Sequence, residues 1–300
     1  MRAVVFDRFG PPDVLRIADL PDPEPGPGEV RVRVRAAGVQ PFDVAVRRGA
    51  MPWVRVRLPQ TNGQEYSGVI DRLGEGAGFA IGDAVLGSTV LNGYAELVCV
   101  PADTVVRKPD RLDFPTAAAL VAASQTASGA LNELAVAAGD VLLVHAAAGS
   151  VGTVATQLAR QRGAQVIGTA GPANHDYLRQ LGAVPVAYGD DLVEAVRATG
   201  LAPTVALDAA GGAAIAQSVA LGIAPDRVGT IVDDKSAAEH GARVVRAGRS
   251  PSRLAEVAGL AARGRLTMPV RAYPLADVVA AHTAVESRHG RGKVVLILEP

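Results

Sequence analysis

Residues 140–160, DVLLVHAAAGSVGTVATQLAR, constrain the fold more than any other segment. Val141, Leu142, Leu143 and Val144 form a continuous apolar run, the pattern of a parallel strand covered on both faces. Ala147, Gly149 and Gly152 follow at the spacing of a dinucleotide-binding fingerprint, with Ala in the first Gly position. Small residues let backbone approach a pyrophosphate. The helix N-terminus that follows offers N–H groups and the positive end of its dipole. A strand before the turn and a helix after it distinguish this fingerprint from Gly-rich turns in general. The alternative is a tight βα turn that binds nothing.

The chain changes character along its length. Its first third is rich in strand patterns and broken by Pro and Gly, with strands expected at 2–6, 29–35, 67–73 and 93–100. The alternation VRVRVR in the second of these predicts a half-buried strand with its arginines on the wet face. Residues 21–29, PDPEPGPGE, read as a stiff surface loop. From 140 onward strands and helices alternate: strands at 140–145, 165–169, 184–187, 203–208 and 227–232, helices at 151–162, 174–181, 191–198 and 212–220. Repeated βα units with short connections predict an α/β fold with a doubly wound parallel sheet. Helices at 251–263 and 275–287 and a strand at 292–298 complete the reading.

Composition narrows the function classes. Lys plus Arg is 30 and Asp plus Glu is 30 in 300 residues. A neutral balance argues against nucleic acid or an anionic membrane as the main partner, because both select a basic surface. No apolar run approaches the ~20 residues needed to span a bilayer. The opening MRAVVFDRFG has no signal-peptide pattern. Cys99 is the single cysteine, which excludes an intrachain disulfide and a cysteine-based zinc site. A cytoplasmic protein is the expectation.

The second strand of the alternating region bears on cofactor choice. In an NAD-binding unit an acid at the end of this strand holds the ribose 2′-OH. Here Gly168, Thr169, Ala170 and Gly171 stand there, and the first acid, Asp176, lies inside the following helix. Without that carboxylate nothing repels a 2′-phosphate, so NADPH is favoured over NADH. Asn174 and His175 are candidates to meet the phosphate, with Arg179 a turn later; otherwise they cap or solvate a helix start.

Several segments together resemble the zinc-independent quinone oxidoreductase branch of the medium-chain dehydrogenase/reductase superfamily. They are MRAVVFDRFGPPDVLRI, PGPGEVRVRVRAAGVQPFDVAVRRG, GQEYSGVIDRLGEGAGFAIGDAV, GYAELVCVPADTVVRKP, the AAAGSVG turn, LGAVPVAYGD, ALDAAGG and RGKVVLIL. The resemblance spans essentially the whole chain. It implies a β-rich GroES-like substrate domain from residues 1–118 and 268–300. A Rossmann NADP(H)-binding domain would span 119–267, with NADPH in the cleft between them. It also implies cofactor contacts from Ala147, Gly149, Ser150, Val151 and Gly152 in the pyrophosphate turn. Thr126 would lie on the helix entering the Rossmann domain, Tyr188 by the adenosine, and Ile231 and Val232 beside the nicotinamide. Lys293 resembles a cofactor-proximal lysine. Thr126 also reads as a helix-interior Thr bonded back to a carbonyl, Tyr188 as a half-buried aromatic and Lys293 as a solvated lysine.

The resemblance also defines absences. Zinc-dependent relatives carry a Cys where this chain has Gln40 and a Gly-His-Glu where it has Gly63-Gln64-Glu65. Neither Gln is an ordinary zinc ligand, the four-cysteine zinc lobe is missing, and His240, His282 and His289 show no metal-ligand spacing. Without a Lewis acid to stabilise an alkoxide, the expected reaction is hydride transfer to a quinone or to a C=C bond conjugated to a carbonyl. Gln40 is the candidate contact to the acceptor's carbonyl, and Asp43 is expected to hold its loop. The tyrosine acid of related enoyl-thioester reductases is replaced by the Ala50-Met51 region. Tyr66 is the nearest alternative hydroxyl, as proton donor or as a core aromatic. Trp53 lines the pocket or packs the loop, and His145 reads as a structural histidine. A sensor or structural protein that binds NADPH with little turnover is the competing class. The segment ARVVRAG, 242–248, is a candidate edge strand for a homodimer.

Overall fold

The computed structural model describes residues 1–298. The chain divides into two compact units, Met1–Ala122 plus the segment from Ser250 onward, and Ala123–Arg249.

The first unit opens with β1 (Arg2–Phe6), β2 (Leu15–Asp19), β3 (Glu29–Val39), α1 (Pro41–Arg47), β4 (Gln60–Thr61) and β5 (Glu65–Leu73). β6 (Ala84–Ser88), β7 (Leu97–Pro101), β8 (Val106–Arg107) and α2 (Phe114–Glu133) follow, and the unit boundary falls inside α2. β1 lies between β2 and β4 in a small antiparallel sheet. β3 is the spine of a larger sheet and pairs antiparallel with both β5 and β7. Its valines explain this role: Val30, Val32 and Val34 are buried in one core with Val4, Phe6, Ile70 and Val85. The arginines of β3 divide. Arg33 is exposed as expected, but Arg31 is buried. Its guanidinium donates to Asp71 Oδ1 at 2.9 Å and Oδ2 at 3.2 Å and to the Pro23 carbonyl at 3.0 Å. The planar fork of Arg matches a carboxylate in two places, which lets this cation leave water.

The second unit alternates strictly. It runs β9 (Val141–His145), α3 (Ser150–Gln161), β10 (Gln165–Thr169), α4 (His175–Gln180), β11 (Val184–Val186), α5 (Leu192–Ala198), β12 (Val205–Asp208), α6 (Ala214–Ala220), β13 (Val228–Thr230), α7 (Asp234–His240) and β14 (Arg243–Val244). All neighbours are parallel, in the order β11-β10-β9-β12-β13-β14. Counted from β9, this is the 3-2-1-4-5-6 order of a dinucleotide-binding sheet, with its reversal point between β9 and β12. Leu142, Leu143, Val144, Ala206 and Leu207 are fully buried in the two central strands. Of the expected edge strand at 242–248, only β14 pairs, along β13.

The chain then returns to the first unit through α8 (Pro251–Ala262), β15 (Val270–Pro274), α9 (Val278–Glu286) and β16 (Lys293–Ile297). β16 lies antiparallel to β3 and carries β15 parallel on its other edge. α8 groups with the first unit, so the return comes earlier in the chain than the sequence boundary at 267/268. Among the described residues no helix is long and apolar enough to cross a membrane.

A buried ion pair ties this unit together. Lys293 at the start of β16 donates to Glu65 at the start of β5, and the other Glu65 oxygen accepts the Ala122 N–H of α2 at 3.2 Å. Both side chains are almost wholly out of water. Removing one partner strands a charge, whereas removing both does not. Lys293→Met is therefore expected to lower unfolding stability by about 3–5 kcal/mol in denaturant titration, and Glu65→Leu combined with Lys293→Met to recover most of that loss.

Candidate functional site

The second unit presents its loops at the carboxyl end of β9. Ala146 adopts a left-handed conformation, φ 57°. Its N–H donates to Thr169 Oγ1 at 3.1 Å, and the Ala147 N–H donates to the Thr169 carbonyl at 3.0 Å. Gly149 is the N-cap of α3, and no side chain caps the helix there, so an anion can meet the first-turn N–H groups. Gly152 is required by contact: a Cβ there would lie 2.5 Å from the Ala146 carbonyl oxygen and 2.5 Å from the Ala147 Cα. The absent side chain lets α3 lie against the end of β9.

The other second-unit candidates surround this turn in different ways. Thr169 is buried, and its hydroxyl accepts from Ala146. Its side chain therefore shapes the turn from beneath. Asn174 and His175 are half-buried at the start of α4, and His175 Nε2 lies 3.1 Å from the Ala170 carbonyl. Arg179 is exposed and paired with Asp176 at 2.6 Å. Tyr188 is 62% exposed, and a Cβ on Gly171 would lie 3.8 Å from its ring. The ring thus stands beside the end of β10 with open surface suited to stacking. Ile231 donates its N–H to the Asp208 carbonyl at 3.0 Å, and Val232 beside it is exposed. Thr126 is half-buried in α2.

Asp208, at the end of β12, organises the neighbouring loops. Its Oδ1 accepts the N–H groups of Ala210 and Gly211, both at 2.8 Å, and its Oδ2 accepts the Thr230 hydroxyl at 2.7 Å. His145 lies opposite it in the β9–β12 register, with Nε2 2.9 Å from Ser218 Oγ. This Ser–His–Asp set is not a nucleophilic triad. Ser218 already donates its proton to the Ala214 carbonyl at 2.8 Å, so the ring nitrogen is the donor, and all three residues are buried.

The first unit supplies a second constellation. Gln40, at the N-cap of α1, donates through Nε2 to Gln64 Oε1 at 2.7 Å. The Gln40 N–H donates to Asp43 Oδ2 at 3.0 Å, and the same oxygen accepts the Tyr94 hydroxyl at 2.8 Å. Burial pushes the Asp43 carboxyl up to about 7, against the hydrogen bond from Tyr94. Tyr66, by contrast, is enclosed in the core. A Cβ on Gly87 would lie 2.4 Å from its hydroxyl, which has no partner among the described residues, and burial raises its pKa. That enclosure argues against Tyr66 as a proton donor. Lys293 is neither solvated nor free, because Glu65 holds it. Trp53 is 72% exposed, so most of its ring is not packed into the loop. Sequence reasoning did not find the bond between Gln40 and Gln64, although both positions were noted as departures from zinc ligands. Two amides bonded to each other do not make a zinc donor set, and no group of three or more His, Cys, Asp or Glu residues suited to a metal occurs among the described residues.

Comparison with known proteins agrees with this architecture. Residues 26–110 match the family described as alcohol dehydrogenase GroES-like domain, and residues 181–296 match the family described as zinc-binding dehydrogenase. The chain is 38% identical over 175 residues to a quinone oxidoreductase of Homo sapiens, covering 57% of this chain and 53% of that protein. The aligned stretch thus spans about half the length of the curated relatives it matches. A solved quinone oxidoreductase from Coxiella burnetii superposes with TM-score 0.90 at 31% identity, covering 100% of this chain and 99% of that one. The Escherichia coli quinone oxidoreductase complexed with NADPH superposes with TM-score 0.88 at 25% identity, covering 99% and 100%.

Two outcomes follow from the geometry. Gly152→Ala is expected to lower the melting temperature and, if this turn holds a dinucleotide, to weaken its binding at least tenfold in a calorimetric titration, since backbone rather than a pliable side chain receives the new methyl. Burial pushes His145 down to about 4 from 6.5. The unfolded chain binds this proton first, so its contribution to stability is present above about 6.5 and is lost as pH falls toward about 4. His145→Gln should lower the slope of unfolding free energy against pH in that window by up to ~1.4 kcal/mol per unit, read from denaturation at several pH values.

Proposed function

As the chain belongs to the quinone oxidoreductase-like branch of the medium-chain dehydrogenase/reductase superfamily, we propose that it is an NADPH-dependent reductase of quinones or of C=C bonds conjugated to a carbonyl, acting without zinc. The observation that carries this reading is the uncapped N-terminus of α3 behind Ala147–Gly152, at the first strand of a 3-2-1-4-5-6 sheet. When bound, NADPH supplies the hydride. The backbone N–H groups of Gly149, Ser150, Val151 and Gly152 would hold the pyrophosphate. Tyr188, with its open ring face, would stack on the adenine. Asn174 and His175 would meet the 2′-phosphate, since the end of β10 carries no carboxylate, and Ile231, Val232 and Thr126 would border the nicotinamide portion.

Gln40, held by Asp43 through its backbone and by Gln64 through its side chain, orients the carbonyl of the acceptor. An amide donor at that oxygen would stabilise the negative charge that reduction places on it. The paired Gln40 and Gln64 suit this role better than metal coordination. With Tyr66 enclosed, solvent supplies the proton. Lys293 acts through Glu65, which it neutralises, and so holds β5 and β16 rather than the cofactor directly. The same lack of a side-chain acid favours a second reading, an NADPH-binding sensor with little turnover. A homodimer is proposed through the exposed edge strand β14, and a mass twice that of the chain in light scattering would support it.

The test is steady-state loss of NADPH absorbance against a panel of simple quinones and enones, with NADH in parallel. Saturable turnover with NADPH preferred supports the reductase. Binding without turnover across the panel supports the sensor. Gln40→Ala should lower kcat by about tenfold or more with little change in the KM for NADPH, the signature of an interaction made at the acceptor.

A further inference from the structure

Five polar atoms from three buried side chains meet no partner among the described residues in the first unit. They are Asp43 Oδ1, Arg47 Nε and Nη1, and His282 Nδ1 and Nε2. All three residues are fully buried. They belong to two helices that touch, α1 and α9. Asp43 and Arg47 stand four residues apart on α1, and His282 and Glu286 four apart on α9, so each pair shares one side of its helix. The pairs are joined at both ends. Arg47 Nη2 donates to the Glu286 carboxylate at one. At the other, Tyr94 donates to Asp43 at 2.8 Å while its ring meets the His282 ring edge-on, centroids 5.8 Å apart.

We propose that α1 and α9 enclose a water-binding chamber, lined by Asp43, Arg47 and His282, that positions Gln40. Each buried polar group left unpaired costs about 1–3 kcal/mol, so five such atoms would consume the stability of a domain. The chemistry selects water over an ion. Arg47 repels a metal cation, and Asp43, once ionised, repels an anion. Burial and the Arg47 charge push His282 down to about 3, so its ring is neutral and offers one donor and one acceptor. Water accepts from a guanidinium N–H and donates to a carboxylate or imidazole nitrogen at the same time, within the two to four partners that buried waters take. Asp43 links the chamber to the acceptor site. Its Oδ1 is the chamber atom, and its Oδ2 holds the Gln40 N–H at 3.0 Å. A carboxylate is planar, so whatever fixes Oδ1 fixes the direction in which Oδ2 holds the start of α1. Glu65 and Lys293 also act on Asp43 by charge, Glu65 raising its pKa and Lys293 lowering it.

His282 is the residue to test, because its ring nitrogens form no hydrogen bond with Gln40. A crystal structure of the full chain at a resolution that shows waters should contain density within hydrogen-bond reach of Asp43 Oδ1 and of Arg47 or His282. Direct pairing of these side chains, with no water among them, overturns the chamber. The positioning role rests on the reductase reading and is tested by His282→Phe beside His282→Gln. The Phe variant should lose about tenfold in kcat toward a quinone with the KM for NADPH unchanged, and the Gln variant, which restores a donor and an acceptor, should return most of it. Unchanged kcat in His282→Phe, or an equal loss in both variants, overturns positioning while the reductase reading stands. Absence of wild-type turnover with every acceptor defeats the reductase reading and with it the positioning role, and the density still decides the chamber.

Discussion

The close approach of α3 to the end of β9 governs the second unit. With no Cβ at Gly152, the helix start sits against Ala146 and Ala147, and the first-turn N–H groups come to the reversal point of the sheet. Ala146 accepts a left-handed backbone to make this turn, at a cost of about 1–2 kcal/mol for a residue with a Cβ. Two hydrogen bonds to Thr169, one to its hydroxyl and one to its carbonyl, offset that cost. The threonine at the end of β10 thus stabilises the turn that leads into α3. Asp208 performs the corresponding task on the other side, drawing the loops after β12 and β13 together through one carboxylate.

The first unit is built on a different economy of interactions. Its interior contains charge: Glu65 with Lys293, Arg47 with Glu286, and Arg31 with Asp71 at 2.9 Å. Such pairs add little net stability over apolar replacements but hold groups in defined directions. Gln40 is held by two further hydrogen bonds of this unit, to Asp43 through its backbone and to Gln64 through its side chain. Amide and carboxylate hydrogen bonds order this part of the unit, which suits the proposed role of Gln40 in orienting a carbonyl.

Most of the second unit was legible in the sequence because parallel strands covered on both faces are written as short apolar runs, and β9 and β10 were read to within a residue. The first unit was less so. β2 has one residue fully out of water and β15 none, so neither carries a buried pattern. α1 is seven residues long and begins in Gln-Pro-Phe-Asp, which reads as a turn. Arg31 looked solvated because alternation places it opposite the valines, yet Asp71 on the neighbouring strand makes its burial tolerable. Tyr66 shows the limit most clearly. Its position on a strand was visible, but the Gly87 backbone that encloses its hydroxyl lies on another strand, and only the pairing of β5 with β6 brings them together. The Lys293–Glu65 pair and the α1–α9 seam join the two ends of the chain, and no local pattern announces them.

Equilibrium titration of the purified full chain with NADPH and, separately, NADH tests the central claim most directly. One NADPH per chain, bound at least tenfold more tightly than NADH, a difference of about 1.4 kcal/mol, is the predicted result. NADH binding as tightly as NADPH, or no binding of either, would contradict it.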